Sequence, residues 1–226
     1  MSPSPIYDQL LQLPLFQGHS REDLTAILAK IKVDFRTCRP KQEIARQDDP
    51  CSHIIFLLEG EVQLTRSSLH KDLNFIETFS APSAFGTESL FGLRQSFSHT
   101  IQALTTVRTL IVSKQDIINH LFAYDVFRYN MLNLLSTRIQ RTNHLLWAPH
   151  EGDTMQHFAT LLKRNFYYHG GHKQIAGGMV ALARMLGEPR LHISRMLNHL
   201  ESQGLLTLSR KIIDIPHLEQ LLQYEK

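Results

Sequence analysis

The chain has 226 residues, 42% of them hydrophobic and 20% charged, with a formal net charge of +3 at pH 7. That is ordinary globular material, long enough for two domains each with its own core, and too weakly charged for the sum alone to name a partner. No apolar run approaches the roughly 18 residues that cross a bilayer, and the first twenty residues lack the basic-then-apolar order of a secretion signal. No membrane association is expected, and a cytoplasmic location is.

Residues 6 to 30 read as short helical material, with Leu10, Leu11, Leu13, Phe16, Leu24, Ile27, Leu28 and Ile31 at three- and four-residue spacing. From Lys32 to Ser113 the character changes to short β-rich segments, "HIIFLL", "EVQLTR", "NFIETF" and "HTIQALTTVRTLIV", punctuated by Gly, Pro, Asp and Ser. Many short strands without long intervening helices predict an antiparallel sandwich or barrel.

Helical periodicity returns at Lys114 and runs to Trp147. Leu132, Leu135, Ile139, Thr142 and Leu146 recur at spacings of three, four, three and four, the seam of a coiled coil. A buried helix of a monomer carries the same stripe over so short a stretch. A second copy of the chain is the favoured cover, because a lone helix after a β-domain needs something to bury that stripe against. "WAPHEG" then stops the helix at Pro149, and Asp153 can cap a new start.

The remainder reads as a helix at 153 to 166, a loop "YYHGGHKQ", a helix at "MVALARML" and a tight turn "GEP". A longer helix at 190 to 203 follows, stopped by Gly204, and then two short strands, "LLTL" and "IIDI", joined across Ser209, Arg210 and Lys211. A last helix begins at Pro216. Helix, turn, helix and hairpin make a winged helix in outline. The predicted class is α+β: an effector-sensing β-domain over residues 1–116, a dimerisation helix over 117–147 and a winged helix over 148–226.

Between Arg190 and Lys211 there are four cations (Arg190, Arg195, Arg210, Lys211) and one anion, Glu201. A helical wheel at about 100° per residue gathers Ile193, Met196, Leu197 and Leu200 on one side. Leu191, Arg195, Asn198 and Ser202 fall opposite, with Ser194 beside them and Arg190 and His192 at the N-terminal rim. Such a face suits the major groove of DNA, where an arginine fork grips guanine and an aliphatic meets the thymine methyl. A solvated face is the bland alternative, and the tight "GEP" turn that presents the first turn outward speaks against it.

These residues carry a resemblance. "MVALARMLGEPRLHISRMLNHLESQGLLTLSRKIIDI" is similar to the winged helix of the CRP/FNR family of bacterial transcription regulators in Leu182-Ala183, Leu186-Gly187, Ser194-Arg195, Leu197, Leu200-Glu201 and Gly204-Leu205. "LEGEVQL" and "FGTESLF" resemble landmarks of that family's cyclic-nucleotide-type β-barrel. The resemblance implies a jelly-roll-like barrel, a homodimer, a double-stranded DNA operator and RNA polymerase as a partner. It also implies that Arg190 holds phosphate or a base edge, that Arg195 reads guanine, and that Arg210 and Lys211 lie on the wing. Leu191 departs from the glutamate that family members commonly place there, which predicts loss of a cytosine contact and a thymine methyl contact instead.

By the same resemblance the effector pocket comprises Phe85, Gly86, Thr87, Glu88, Phe97 and Ser98, with Thr142 and Asn143 from the dimer helix. Thr87 stands at the position of the family's ribose-binding glutamate and Phe97 at that of its phosphate-binding arginine, unless Glu88 or Arg94 substitutes. A buried phosphate without a cation does not recover its desolvation cost, so cyclic AMP is disfavoured and the effector is an unidentified small molecule, or there is none. Haem is a weaker alternative, drawn from the thirteen histidines, with His53, His70, His99 and His120 on the barrel side.

"HGGH" (His169 to His172) offers only two ligands and reads as a flexible loop, so no metal is expected. Cys38 and Cys51 could make at most one disulfide, and a redox role depends on whether the fold brings them together. A haem- or metabolite-binding sensor acting through a protein partner is the competing function. An enzyme is not expected, since the chain has no nucleophile elbow, phosphate loop, dinucleotide fingerprint or paired metal ligands at helical spacing.

Overall fold

The computed structural model describes residues 6–146 and 153–224, and the expected linker at Pro149 lies outside them. The chain divides into two compact units, residues 1–63 with 79–140, and residues 64–78 with 141–226.

In the first unit, helices α1 (Ile6–Leu11) and α2 (Arg21–Lys30) precede the strands. A capping box starts α2: the Ser20 hydroxyl accepts the Asp23 N–H at 3.0 Å, and the Asp23 carboxylate accepts the Ser20 N–H at 3.1 Å. The strands are β1 (Asp34–Cys38), β2 (Glu43–Ala45), β3 (His53–Glu59), β4 (Glu61–Ser67), β5 (Leu73–Ser80), β6 (Ser83–Phe85), β7 (Thr100–Ala103) and β8 (Val107–Ser113). β1, β8, β3 and β6 form one antiparallel sheet in that order, and β4, β7 and β2 lie side by side in another. The arrangement is jelly-roll-like, with sheets that remain open rather than closing into a ring of hydrogen bonds. Ile54 to Leu58 on β3 are all buried, which is why that segment reads as a continuous apolar run while β5 alternates. Phe16, Phe56 and Phe127 meet in the core, with ring centroids 5.3 and 5.5 Å from Phe16.

The helix expected from 117 to 147 is two helices, α3 (Lys114–Asn119) and α4 (Asp125–Leu146), with a 3-10 turn over Leu121–Ala123 between them. Tyr124 is extended there, and the break lets both Leu121 before it and Phe127 after it be completely buried. The inner side of α4 packs Phe127, Met131, Leu134 and Leu135 on the core.

In the second unit α5 (Thr154–Asn165) is capped by Asp153, whose carboxylate accepts the Gln156 N–H at 3.0 Å. β9 (Lys173–Gly177), α6 (Met179–Leu186), α7 (Arg190–Ser202), β10 (Thr207–Ser209), β11 (Ile212–Ile215) and α8 (Leu218–Tyr224) follow. Here the order of strands is β10, β11, β9, β5, β4. Residues 64–78, from the hairpin of β4 and β5, thus cluster with residues 141–226, a division the three-part reading of the sequence did not include. Leu73 to Glu77 pair antiparallel with Gly177 to Lys173, and Leu73 and Phe75 enter a core with Phe158, Leu162, Leu197 and Ile215. The close approach requires Gly177, where an added Cβ would stand 2.5 Å from the Asp72 carbonyl oxygen. No described helix is long and apolar enough to cross a membrane.

Candidate nucleic-acid interface and effector site

Each face of α7 is fixed by its neighbours. Ile193, Leu197 and Leu200 are buried in the core of the second unit, with Met196 half-buried beside them. Arg190, Leu191, His192, Arg195 and Asn198 are exposed, and Ser194 is half-buried. The turn before the helix depends on Gly187, left-handed at φ 69°, whose N–H bonds back to the carbonyls of α6. Glu188 donates its N–H to the Ala183 carbonyl at 3.1 Å, and Pro189 opens α7 without a side-chain cap.

Arg210 and Lys211 form the exposed two-residue tip between β10 and β11, with Lys211 at φ 63°. The carboxylate of Glu201 accepts the Leu208 N–H at 2.7 Å, so the acid of this segment braces the β10–β11 hairpin. Eight arginines elsewhere (21, 36, 46, 94, 108, 128, 138, 184) pair with a carboxylate. Among the described residues, Arg190, Arg195, Arg210 and Lys211 have no such partner. The second unit therefore presents four uncompensated cations together with an aliphatic, a hydroxyl and an amide.

In the first unit Phe85, Gly86, Thr87, Glu88, Phe97 and Ser98 do converge. Phe97 is buried, edge-on to His53 at 5.5 Å, and the Gly86 backbone closes on it: a Cβ there would lie 3.3 Å from the ring. A phenyl ring thus fills the position that the resemblance gives to a phosphate-binding arginine. A carboxylate and a guanidinium nevertheless stand beside Thr87 and Ser98, from Glu88 and Arg138. Glu88 Oε2 lies 2.5 Å from Arg138 Nη1, which also donates to the Thr87 hydroxyl at 3.0 Å, and Ser98 donates to Glu88 Oε1 at 3.0 Å. Burial pushes the Glu88 carboxyl up, but Arg138 and Ser98 together hold it below the usual range.

Arg138 was not singled out by the sequence, although it stands one helical turn before Thr142 on the same side of α4. Arg94 is no substitute, since it is exposed and bonded to Asp48 at 2.7 Å. Thr142 and Asn143 are exposed on the last turns of α4 and fall in the second unit.

Of the dimer stripe, Leu132 and Ile139 are each 59% exposed and Thr142 is exposed, whereas Leu135 is half-buried against the unit's own core. The Leu146 side chain lies outside the described residues. Tyr129, 64% exposed, extends the outward stripe one turn earlier.

The histidines are dispersed. His53 is held below its usual value by burial, His99 accepts or donates to Ser98 at 2.8 Å, and His70 and His120 lie elsewhere. His169 bonds the Lys163 carbonyl and His172 the Asp214 carboxylate, so "HGGH" is anchored by two separate partners. No group of three or more metal-ligating side chains occurs among the described residues. Cys38 and Cys51 are free buried thiols, and burial pushes Cys51 up to about 11.

Residues 35–124 match the family model of the cyclic nucleotide-binding domain. The chain resembles CRP/FNR-type transcription regulators. A structure of the Thermus thermophilus catabolite activator protein aligns at a TM-score of 0.55 and 19% identity over 94% of this chain and 100% of that one. The N-terminal domain of a transcriptional regulator from Streptomyces coelicolor aligns at 0.50 and 23% identity, over 65% of this chain and 100% of that domain. No curated protein sequence matches. At these identities the likeness establishes the fold, an α+β chain with the jelly-roll-like domain of cyclic-nucleotide-binding type that "LEGEVQL" and "FGTESLF" led one to expect. Thr87, Glu88 and Ser98 fall inside the matched domain, whereas Arg138 reaches the site from beyond it.

Proposed function

We propose that the protein is a homodimeric, sequence-specific DNA-binding transcription regulator of the cytoplasm, with a sensory β-domain and a winged-helix reader. The observation that carries this reading is the outward face of α7, where Arg190 and Arg195 stand exposed without carboxylate partners while Ile193, Leu197 and Leu200 anchor the helix. Arg195 is suited to grip guanine O6 and N7 as a fork, Leu191 to meet a thymine methyl, and Ser194 and Asn198 to support them. Arg190, Arg210 and Lys211 neutralise phosphates on either side, and RNA polymerase is the partner through which binding acts.

The exposed Tyr129, Leu132 and Ile139 support a second copy of the chain along α4, since a strip of large apolar groups in water is otherwise uncompensated. Two copies related by a two-fold axis would place their recognition helices one turn of DNA apart. The effector is a small molecule other than cyclic AMP. The guanidinium near the site is committed to Glu88, and Phe97 occupies the seat a phosphate needs.

Selection from random duplexes, followed by titration of the recovered operator with wild type and Arg195→Glu, tests the reading. Wild type recovers a two-fold symmetric site with guanine in each half, and the charge reversal abolishes binding while leaving the dimer mass unchanged. Recovery of no preferred duplex, or unaltered binding by Arg195→Glu, refutes it.

A further inference from the structure

The turn leading into α7 carries a carboxylate shared by two histidines. Glu188 Oε1 lies 2.9 Å from His157 Nδ1 on α5, and Glu188 Oε2 lies 3.5 Å from His192 Nδ1 in the first turn of α7. The Glu188 side chain is 15% exposed, against 54% for His192, so the acid is tucked beneath the imidazole that faces solvent. From α5 the Thr154 hydroxyl also bonds the carboxylate. From α6 the nearest group is the Ala183 carbonyl, and the helix's one charged residue, Arg184, is held by Asp72 instead. On α7 the other charged or titratable groups are Arg190 and Arg195, both exposed, Glu201, which accepts the Leu208 N–H, and His199, which bonds the Tyr224 hydroxyl.

Glu188 therefore differs from the carboxylates that arginines neutralise elsewhere in the chain. Among the described residues its cationic partners are His157 and His192, and histidine changes charge between about pH 5 and 8, where arginine does not. The His157 hydrogen bond, aided by His192, holds the Glu188 carboxyl below the usual range, so the acid stays ionised throughout that window. With both imidazoles neutral the cluster carries one negative charge; with both protonated it carries one positive charge. The change occurs at the start of the helix whose first turn holds Arg190, Leu191 and His192.

We propose that His157, Glu188 and His192 form a proton-operated charge switch at the foot of the recognition helix, so that affinity for DNA rises as pH falls. This rests on the DNA-binding reading above. The sign follows from reciprocity: bound phosphates favour the imidazolium forms, so the complex holds more protons than its free components. Affinity is then greatest below the histidine range and declines as pH rises through it.

Fluorescence anisotropy with a selected operator at constant salt, between about pH 6 and 8, reads the effect. Wild type should bind roughly tenfold tighter at the acid end, as uptake of about half a proton over two pH units demands. His157→Gln with His192→Gln should flatten the profile to within about twofold. Glu188→Gln deletes the negative charge and leaves one carbonyl acceptor in place of two carboxylate oxygens, and should bind more tightly than wild type at the alkaline end. Thermal melts of each variant show that the fold is retained.

A flat wild-type profile with strong binding overturns the switch and leaves the reader intact, as does a slope that survives the double substitution. Failure to bind any duplex at any pH overturns the DNA-binding reading, and the switch with it.

Discussion

Glu77 and Lys173 form an ion pair 3.1 Å long whose side chains are 2% and 4% exposed, joining β5 to β9 inside the second unit. Glu77 also accepts the Tyr167 N–H at 2.7 Å, so its carboxylate serves a loop backbone as well as the ammonium. Burial pushes the Glu77 carboxyl above its usual range despite the pull of Lys173, the signature of a charge moved out of water. Removing one partner strands the other: Lys173→Met or Glu77→Gln should each cost about 3–5 kcal/mol in chemical denaturation. The double variant should recover much of the Lys173→Met loss, because no orphaned charge remains. Equal losses for the double variant and the sum of the singles would show that the pair is not coupled.

That pair also marks how far the sequence could be read. The helices 179–186 and 190–202 were legible because turn chemistry and a 3.6-residue period are local signals, and Gly187 and Gly204 punctuate them. β9 begins at the end of the segment read as loop and runs into residues given no element: "KQIAG" is five residues with one large apolar side chain, and it becomes a strand only because β5, about 100 residues earlier, lies beside it. Lys173 gives no sign in the sequence that it is buried, since its partner is equally remote. Arg138 was missed for a related reason: its relation to Glu88 is set by how α4 packs on the first unit, which no spacing within α4 encodes.

The clasp between Arg138 and Glu88 should be visible as a pH effect on stability. A carboxylate held below its ordinary range contributes stability that is present above the unfolded value of about 4.3 and is lost as pH falls through the folded one. Arg138→Met should therefore lower stability at neutral pH by about 2 kcal/mol and lessen the loss seen on acidification. Arg138→Lys should restore part of both. Parallel thermal melts between about pH 3 and 7 make the comparison, and superimposable curves for wild type and Arg138→Met would remove the clasp from the account.

The outward stripe of α4 predicts the oligomeric state. Leu132→Glu with Ile139→Glu replaces two exposed apolar side chains by charges, and two-fold symmetry places four such changes in one interface. Burying one such side chain contributes about 1.5–3 kcal/mol, so the variant should sediment as a monomer at micromolar concentration where wild type is a dimer. Both positions face solvent in the isolated chain, so the first unit should still fold, with its melting lowered only by the stabilisation that the dimer contact supplied. A variant that still sediments as a dimer would place the interface elsewhere.

Leu191 sets the last expectation, because it is a large aliphatic, 58% exposed, on a face otherwise made of hydrogen-bonding groups. Leucine has neither donor nor acceptor, so at the base step it meets it can reward a thymine methyl and cannot accept from cytosine N4. Replacing it by glutamate restores an acceptor at the same height on α7 without touching Ile193 or Leu197 behind it. Operator selection with wild type and Leu191→Glu should then return half-sites that differ at one position, thymine for the first and cytosine for the second. Discrimination of about 1–3 kcal/mol follows at that step, a factor of roughly 5 to 150 in relative binding. The arginine-read guanine should persist in both pools, since Arg195 lies a helical turn further along. Identical half-sites from the two proteins would mean that Leu191 touches no base.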